Sequence, residues 1–281
     1  MAVVGAGRMG AGLGMALAAA GNEVAHLVRT NRPAPTGAGL FVGEEAWGVA
    51  IGRASVVLVA TPDAAITPAA AALAALGAVT SRHVVLHLSG LHDRTALAPL
   101  GPTGAALGSL HPLQAISDPA TAIVRLHGAY AGVEGDSRAI RVAEALARAA
   151  GMRPVTIPSA AKPGYHAAAA MVSNFTVALF DAACRVAERA GVPRESIPAM
   201  YAALLRGTVE NIAGSGSVRA LTGAIRRGDA ATVRAHLAAL GTAEASLYRV
   251  LGGEVLRLAK VGGLDSAAAE RIAAALEEEA V

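Results

Sequence analysis

Aromatic side chains are scarce in this 281-residue chain, at 3% of the residues. That scarcity excludes a base-stacking nucleic-acid surface or a large aromatic ligand cage. Cysteine occurs once, as Cys184, so neither an internal disulfide nor a CxxC metal pair is available. The histidines lack the carboxylate or thiolate companions of a metal centre, and no metal is expected. Charge is modest, with 16% charged residues and a net +3, and the basic residues are scattered rather than clustered. No nucleic-acid partner follows from that pattern. The uncharged run 64–81 is broken by Pro68 and Gly77 and makes a poor membrane span. No basic segment precedes an apolar one at the start, so a cytoplasmic location with no membrane partner is the expectation.

What the chain has in quantity is small apolar residues. Hydrophobic residues reach 54%, and 32 are glycine. Such a composition suits closely packed helices and tight turns. Short β-branched runs at 2–4, 23–28, 55–60, 83–88, 105–109, 129–133 and 153–157 alternate with helical stretches at 8–20, 63–76 and 137–150. Strands alternating with helices predict an α/β Rossmann architecture, a doubly wound and mostly parallel sheet. Beyond about residue 158 the strand signals stop and helical periodicity continues to the end. The expectation is a nucleotide-binding domain at 1–158 and an all-helical domain at 159–281. Ala-rich faces at 163–191 and 195–214 in that second part predict a homodimer interface.

The opening strand runs into Gly5-Ala6-Gly7-Arg8-Met9-Gly10, a GxGxxG at the start of a helix. Gly5 permits the turn, Gly7 lets the backbone approach a pyrophosphate, and Gly10 lets helix and strand pack closely. The N–H groups of Arg8, Met9 and Gly10 at the helix start then face the phosphates. About 20 residues on, NAD enzymes place an acidic residue for the ribose 2′-OH. Here the sequence reads Val28-Arg29-Thr30-Asn31-Arg32. Without a carboxylate, and with Arg29, Thr30 and Arg32 as donors, the pattern fits a 2′-phosphate and predicts NADP(H). Thr61-Pro62 ends another strand on the same edge, either as a wall beside the cofactor or as a helix cap.

Three polar clusters interrupt the apolar pattern. His87-Leu88-Ser89-Gly90 and Ser109-Leu110-His111-Pro112 end successive strands, and alternation puts Ser89 with His87 and Ser109 with His111. The third is Lys162-Pro163-Gly164-Tyr165-His166, followed on the same helix by Ser173-Asn174. Lys162 and His166 fall within about 40° of each other around that helix, with Ser173 between them. A desolvated Lys among small neighbours suits acid–base work.

With residues 5–10, 61–63, 87–90, 109–114 and 162–174, and the Leu221-Thr222-Gly223 and Arg227-Gly228-Asp229 pieces, the chain resembles a known group. Its members are Rossmann-like proteins whose C-terminal helical part is known as domain of unknown function 2520. They belong to the broad 6-phosphogluconate dehydrogenase-like group with ketopantoate, pyrroline-5-carboxylate and hydroxyacid enzymes. The resemblance implies an NADP(H)-dependent reductase of a small carbonyl compound such as a ketopantoate-like 2-oxoacid. An imine reductase and a non-catalytic NADP(H) sensor are the alternatives. It also implies Lys162 as acid–base group, although His166 stands where the hydroxyacid enzymes have Asn. Ser109-Leu110-His111-Pro112 is similar to the His-Pro strand end of prephenate dehydrogenases. The expected catalytic set is Lys162, His166, His111 and Ser89, with Ser109, Ser173 and Asn174 holding substrate.

Overall fold

The structure is a computed structural model describing residues 1–30, 34, 35 and 37–278. Arg32, one of the expected phosphate ligands, lies outside the described residues. Two compact units divide the chain, Met1–Asn174 and Phe175–Val281.

The first unit is built on eight strands: β1 (Ala2–Val4), β2 (Val24–Val28), β3 (Ala38–Val42), β4 (Val56–Val59), β5 (Val84–His87), β6 (Ala106–Leu113), β7 (Tyr130–Gly135) and β8 (Arg153–Thr156). They form one sheet in the order β3-β2-β1-β4-β5-β6-β7-β8, parallel except for the β6–β7 pair. Six helices accompany it: α1 (Arg8–Ala19), α2 (Glu44–Arg53), α3 (Ile66–Ala75), α4 (Ala122–Leu126), α5 (Ser137–Ala149) and α6 (Lys162–Val172). Alternation explains the two layers. Val3, Leu58, Leu86 and Leu110 face one core with Leu13 and Leu17 of α1, while Val4, Val57, Val59 and Val85 face the other with Ile51 and Leu73. The doubly wound expectation holds. Strand β3 and helix α2 were not anticipated, because Gly39 and the partly exposed β3 give little β-branched signal.

Glycines set how closely the layers meet at β1. A Cβ on Gly5, whose φ is +103°, would lie 2.7 Å from the Ala60 carbonyl oxygen. One on Gly10 would lie 2.7 Å from the Ala60 Cβ. Strand β4 therefore approaches the start of α1 to a distance only glycine allows.

The second unit is helical: α7 (Asn174–Arg189), α8 (Ile197–Ser215), α9 (Ser217–Ala220), α10 (Ala224–Arg227), α11 (Ala230–Ala238), α12 (Thr242–Val261) and α13 (Ser266–Glu277). Its core joins Ile225, Val233, Leu237, Leu256, Ile272 and Leu276. The unit boundary falls after Asn174 rather than near residue 158, because α6 is fastened to the sheet by the buried Lys162. Among the described residues one stretch, Ser159–Arg189, is long and apolar enough to cross a membrane by length and composition alone.

Substituting Gly10→Ala is expected to cost about 2 kcal/mol by overpacking against Ala60. Gly48→Ala, in α2 with open space at its Cβ, is expected to gain about 0.5–1 kcal/mol. Thermal melts of the two variants check both signs.

Candidate functional site

The C-terminal edges of β1, β4, β5 and β6 carry the expected residues in that spatial order. At β1, Gly7 is the residue before α1 and supplies no side-chain cap, so the first turn of α1 offers backbone donors to a ligand. Gly7 and Arg8 are exposed, Met9 is half-buried against the core and Gly10 is buried. A Cβ on Gly7 would meet nothing within 4 Å, so here glycine leaves open space rather than serving packing. Arg29 and Thr30 are exposed just beyond the end of β2.

After β4, Thr61 is not the helix cap that was the alternative expectation. Pro62 directly precedes a one-turn 3-10 helix (Asp63–Ala65) with no side-chain cap bond, and the Thr61 Oγ1 is buried with no hydrogen-bond partner. A buried hydroxyl left unpaired costs about 1–3 kcal/mol unless a ligand completes it. The open space at Gly7, the uncapped α1 and the orphaned Thr61 hydroxyl together fit a dinucleotide's phosphates and ribose.

Beyond β5 the chain builds a rigid turn. His87 is fully buried, its Nε2 donates to the Asp93 carbonyl at 2.9 Å, and its Nδ1 accepts the Ser89 N–H at 3.1 Å. The Ser89 Oγ accepts the N–H groups of Leu91 and His92, both at 3.1 Å. The oxygen of the hydroxyl expected at a reaction centre thus accepts the bonds that hold the turn. This turn carries Gly90 between two imidazoles: a Cβ there would lie 2.6 Å from His166 Nδ1 and 2.7 Å from His111 Cε1.

Lys162 is 2% exposed. Its Nζ donates to the Ser89 carbonyl at 3.0 Å and to Ser109 Oγ at 2.7 Å. Ser109, fully buried, passes the contact on to Glu134 Oε2 at 3.3 Å, and Ser159 Oγ donates to Glu134 Oε1 at 2.9 Å. Sequence reasoning missed Glu134. A lone carboxylate inside an apolar strand was a signal, but its position opposite Ser109 depends on the antiparallel β6–β7 register. Burial pulls the Lys162 pKa down to about 8, opposed by the negative charges of Glu134, Asp93 and Asp63.

His111 is half-buried at the end of β6, with its Nδ1 2.9 Å from the Tyr165 hydroxyl. The hydroxyl packs against Gly132, where a Cβ would lie 2.8 Å from it, so the glycine leaves room for the phenol. The His111 ring meets His166 edge to face with centroids 5.7 Å apart, and the buried His166 Nδ1 has no partner. Burial, then the positive charges of His166 and Lys162, hold His111 at about 4. Tyr165, which sequence reasoning quoted without a role, completes this cluster. Ser173 and Asn174 are exposed at the far end of α6, about 16 Å along its axis from Lys162, and do not join it. Among the described residues no group of His, Cys, Asp or Glu could hold a metal.

Two outcomes follow from these charges. Lys162→Met should cost about 3 kcal/mol by leaving Glu134 buried without its cation. Combining it with Glu134→Gln should be less than additive by about 1 kcal/mol or more in urea unfolding. His87 and His111 are both held near 4, so the unfolded chain takes up their protons around pH 6.5 while the folded chain does not. Their stabilising effect is complete above pH 6.5 and lost as the pH falls through about 4. The unfolding midpoint should decline across that window, and less steeply in His87→Gln.

Residues 129–255 match the family described as Domain of unknown function (DUF2520). No curated protein matches the chain. A solved Thermotoga maritima protein is 23% identical, with a TM-score of 0.64, covering 96% of this chain and 98% of its own. The Plasmodium falciparum pyrroline carboxylate reductase, solved with NADP bound, is 11% identical with a TM-score of 0.60, covering 98% and 97%. An NADH-preferring ketol-acid reductoisomerase from an uncultured archaeon is 15% identical with a TM-score of 0.62, covering 97% and 81%. The fold of this chain is therefore the Rossmann-type fold shared with those proteins, and its region 129–255 is similar to the DUF2520 family.

Proposed function

We propose that this protein is a nicotinamide-nucleotide-dependent oxidoreductase that uses NADP(H) to reduce a small carbonyl compound, a 2-oxoacid such as ketopantoate being the leading class. One observation carries the proposal. The uncapped glycine turn after β1 and the Lys162–His111–His166 cluster beyond β5 and β6 share one sheet edge, two to three strand spacings apart, or about 10–14 Å. That edge is where open α/β sheets bind ligands. The solved relatives support the nucleotide, since one holds NADP and another prefers NADH. They leave the choice between the two to this chain's own residues. Arg29 and Thr30, exposed beyond β2 with no carboxylate between them, favour the 2′-phosphate.

When bound, a reduced nicotinamide supplies the hydride that adds to the carbonyl carbon. The chain supplies the rest. Lys162 carries a proton at pH 7 and can release it near pH 8. It is assigned to stabilise the developing alkoxide and deliver its proton. His111 stays neutral and is assigned to orient the substrate beside the same oxygen, while Tyr165 fixes its ring. Ser109 and Glu134 hold the ammonium in place.

The protein is also proposed to act as a homodimer through its helical unit. Helix α8 buries only Ile197 while exposing Met200, Leu204, Val209 and Ile212, a poor surface to leave in water. Light scattering should report twice the chain mass.

Calorimetric titration should give tighter binding of NADPH than of NADH, with Arg29→Ala weakening NADPH selectively by about tenfold. Gly7→Ala should melt like the wild type and lose nucleotide affinity, because its Cβ occupies only ligand space. Screening oxoacids and cyclic imines for NADPH oxidation then tests the chemistry. Turnover should fall above pH 8 and drop at least about 100-fold in Lys162→Met. A protein that binds NADPH yet oxidises it with no compound would be a sensor, and the enzymatic proposal would fall.

A further inference from the structure

His26 is a fully buried histidine in β2, outside the cluster beyond β5 and β6. A parallel strand covered on both faces ordinarily carries Val, Leu or Ile there. The register places it beside Val3 of β1 and Leu40 of β3. Its Nδ1 lies 3.0 Å from the carbonyl oxygen of Gly5, which can only accept, so the proton sits on Nδ1. The other ring nitrogen, Nε2, is buried with no partner. It faces α1 at Gly14, where a Cβ would lie 2.5 Å from Nε2. The imidazole therefore has two costs: an unpaired buried nitrogen, and a glycine inside a helix.

These costs have one visible return. The Gly5 N–H donates to the Leu27 carbonyl at 2.9 Å, so Gly5, at φ +103°, is held at both backbone groups by successive residues of β2. Gly5 opens the turn that leads into α1. A carbonyl swung toward that turn would present its negative end to any anion at the helix start. We infer that His26 is a positioning residue for the phosphate-binding turn, turning the Gly5 carbonyl into the protein and away from the bound pyrophosphate. This rests on the nucleotide-binding function proposed above.

The test compares wild type with His26→Leu, His26→Val and His26→Asn, reading NADPH affinity by calorimetry and stability by thermal melting. Leu and Val fill the site without a donor, and either suffices if the other does not fold. The Asn amide places an N–H where Nδ1 was, but leaves a void where the rest of the ring had been. The expected result is NADPH affinity about tenfold weaker in the Leu or Val variant and within about threefold of wild type in His26→Asn. That order should hold even though the Asn variant melts lowest of the series. A purely structural role would make affinity follow melting temperature, and that outcome overturns the inference. So does wild-type affinity in the Leu and Val variants. Failure of the wild type itself to bind NADPH or NADH is a separate result, which removes the nucleotide function and this inference with it.

Discussion

A single ammonium group, taken almost wholly out of water, organises the first unit. Burying a charge costs several kcal/mol even after relaxation, so the surroundings of Lys162 must return that energy through close polar contacts. They come from three directions: the Ser89 carbonyl on the turn after β5, the Ser109 hydroxyl on β6, and through it Glu134 on β7. One side chain thereby ties together three neighbouring strands and the first turn of α6. This explains why α6 belongs with the sheet rather than with the helices that follow it.

The same burial, with that charge inside it, shapes the neighbours. Burial foremost, with the ammonium adding a smaller push, drives His87 and His111 toward the neutral form. A neutral imidazole has one donor and one acceptor nitrogen, and at His87 the structure fixes both. His87 spends its two nitrogens on the turn, while His111 has one nitrogen held by Tyr165. The division of labour is clear: one histidine holds the scaffold and the other faces the cluster around Gly90.

Much of this was legible in residue patterns, and the rest failed for specific reasons. The glycine turn, the alternation of strands and helices, and the polar strand ends at Ser89, Ser109 and His111 are local signals, and local signals survive folding. Glu134 was not legible because its partner depends on which way β7 runs, and nothing in a run of Ala, Gly and Val declares antiparallel pairing. His26 lies in a strand that reads as ordinary core, and only its contact with Gly5 reveals it. Ser173 and Asn174 illustrate the opposite error. Ser173 shares a helical stripe with Lys162 and Asn174 flanks it, but a stripe specifies direction around an axis and says nothing of distance along it. The Thr61 hydroxyl suits a cap by residue type, whereas Pro62 occupies the position before the one-turn helix and leaves it unpaired.

Gly90 has a consequence for how this arrangement can change. Any side chain at that position would collide with both His111 and His166, so the two rings and the bare backbone between them form one interlocked choice. A sequence drifting from this one cannot acquire even an alanine at residue 90 while keeping both imidazoles in place. Either histidine can shrink while the glycine stays, but the glycine cannot grow until both have moved, so the order of exchange is one-way and a bare residue 90 marks the centre wherever both imidazoles persist.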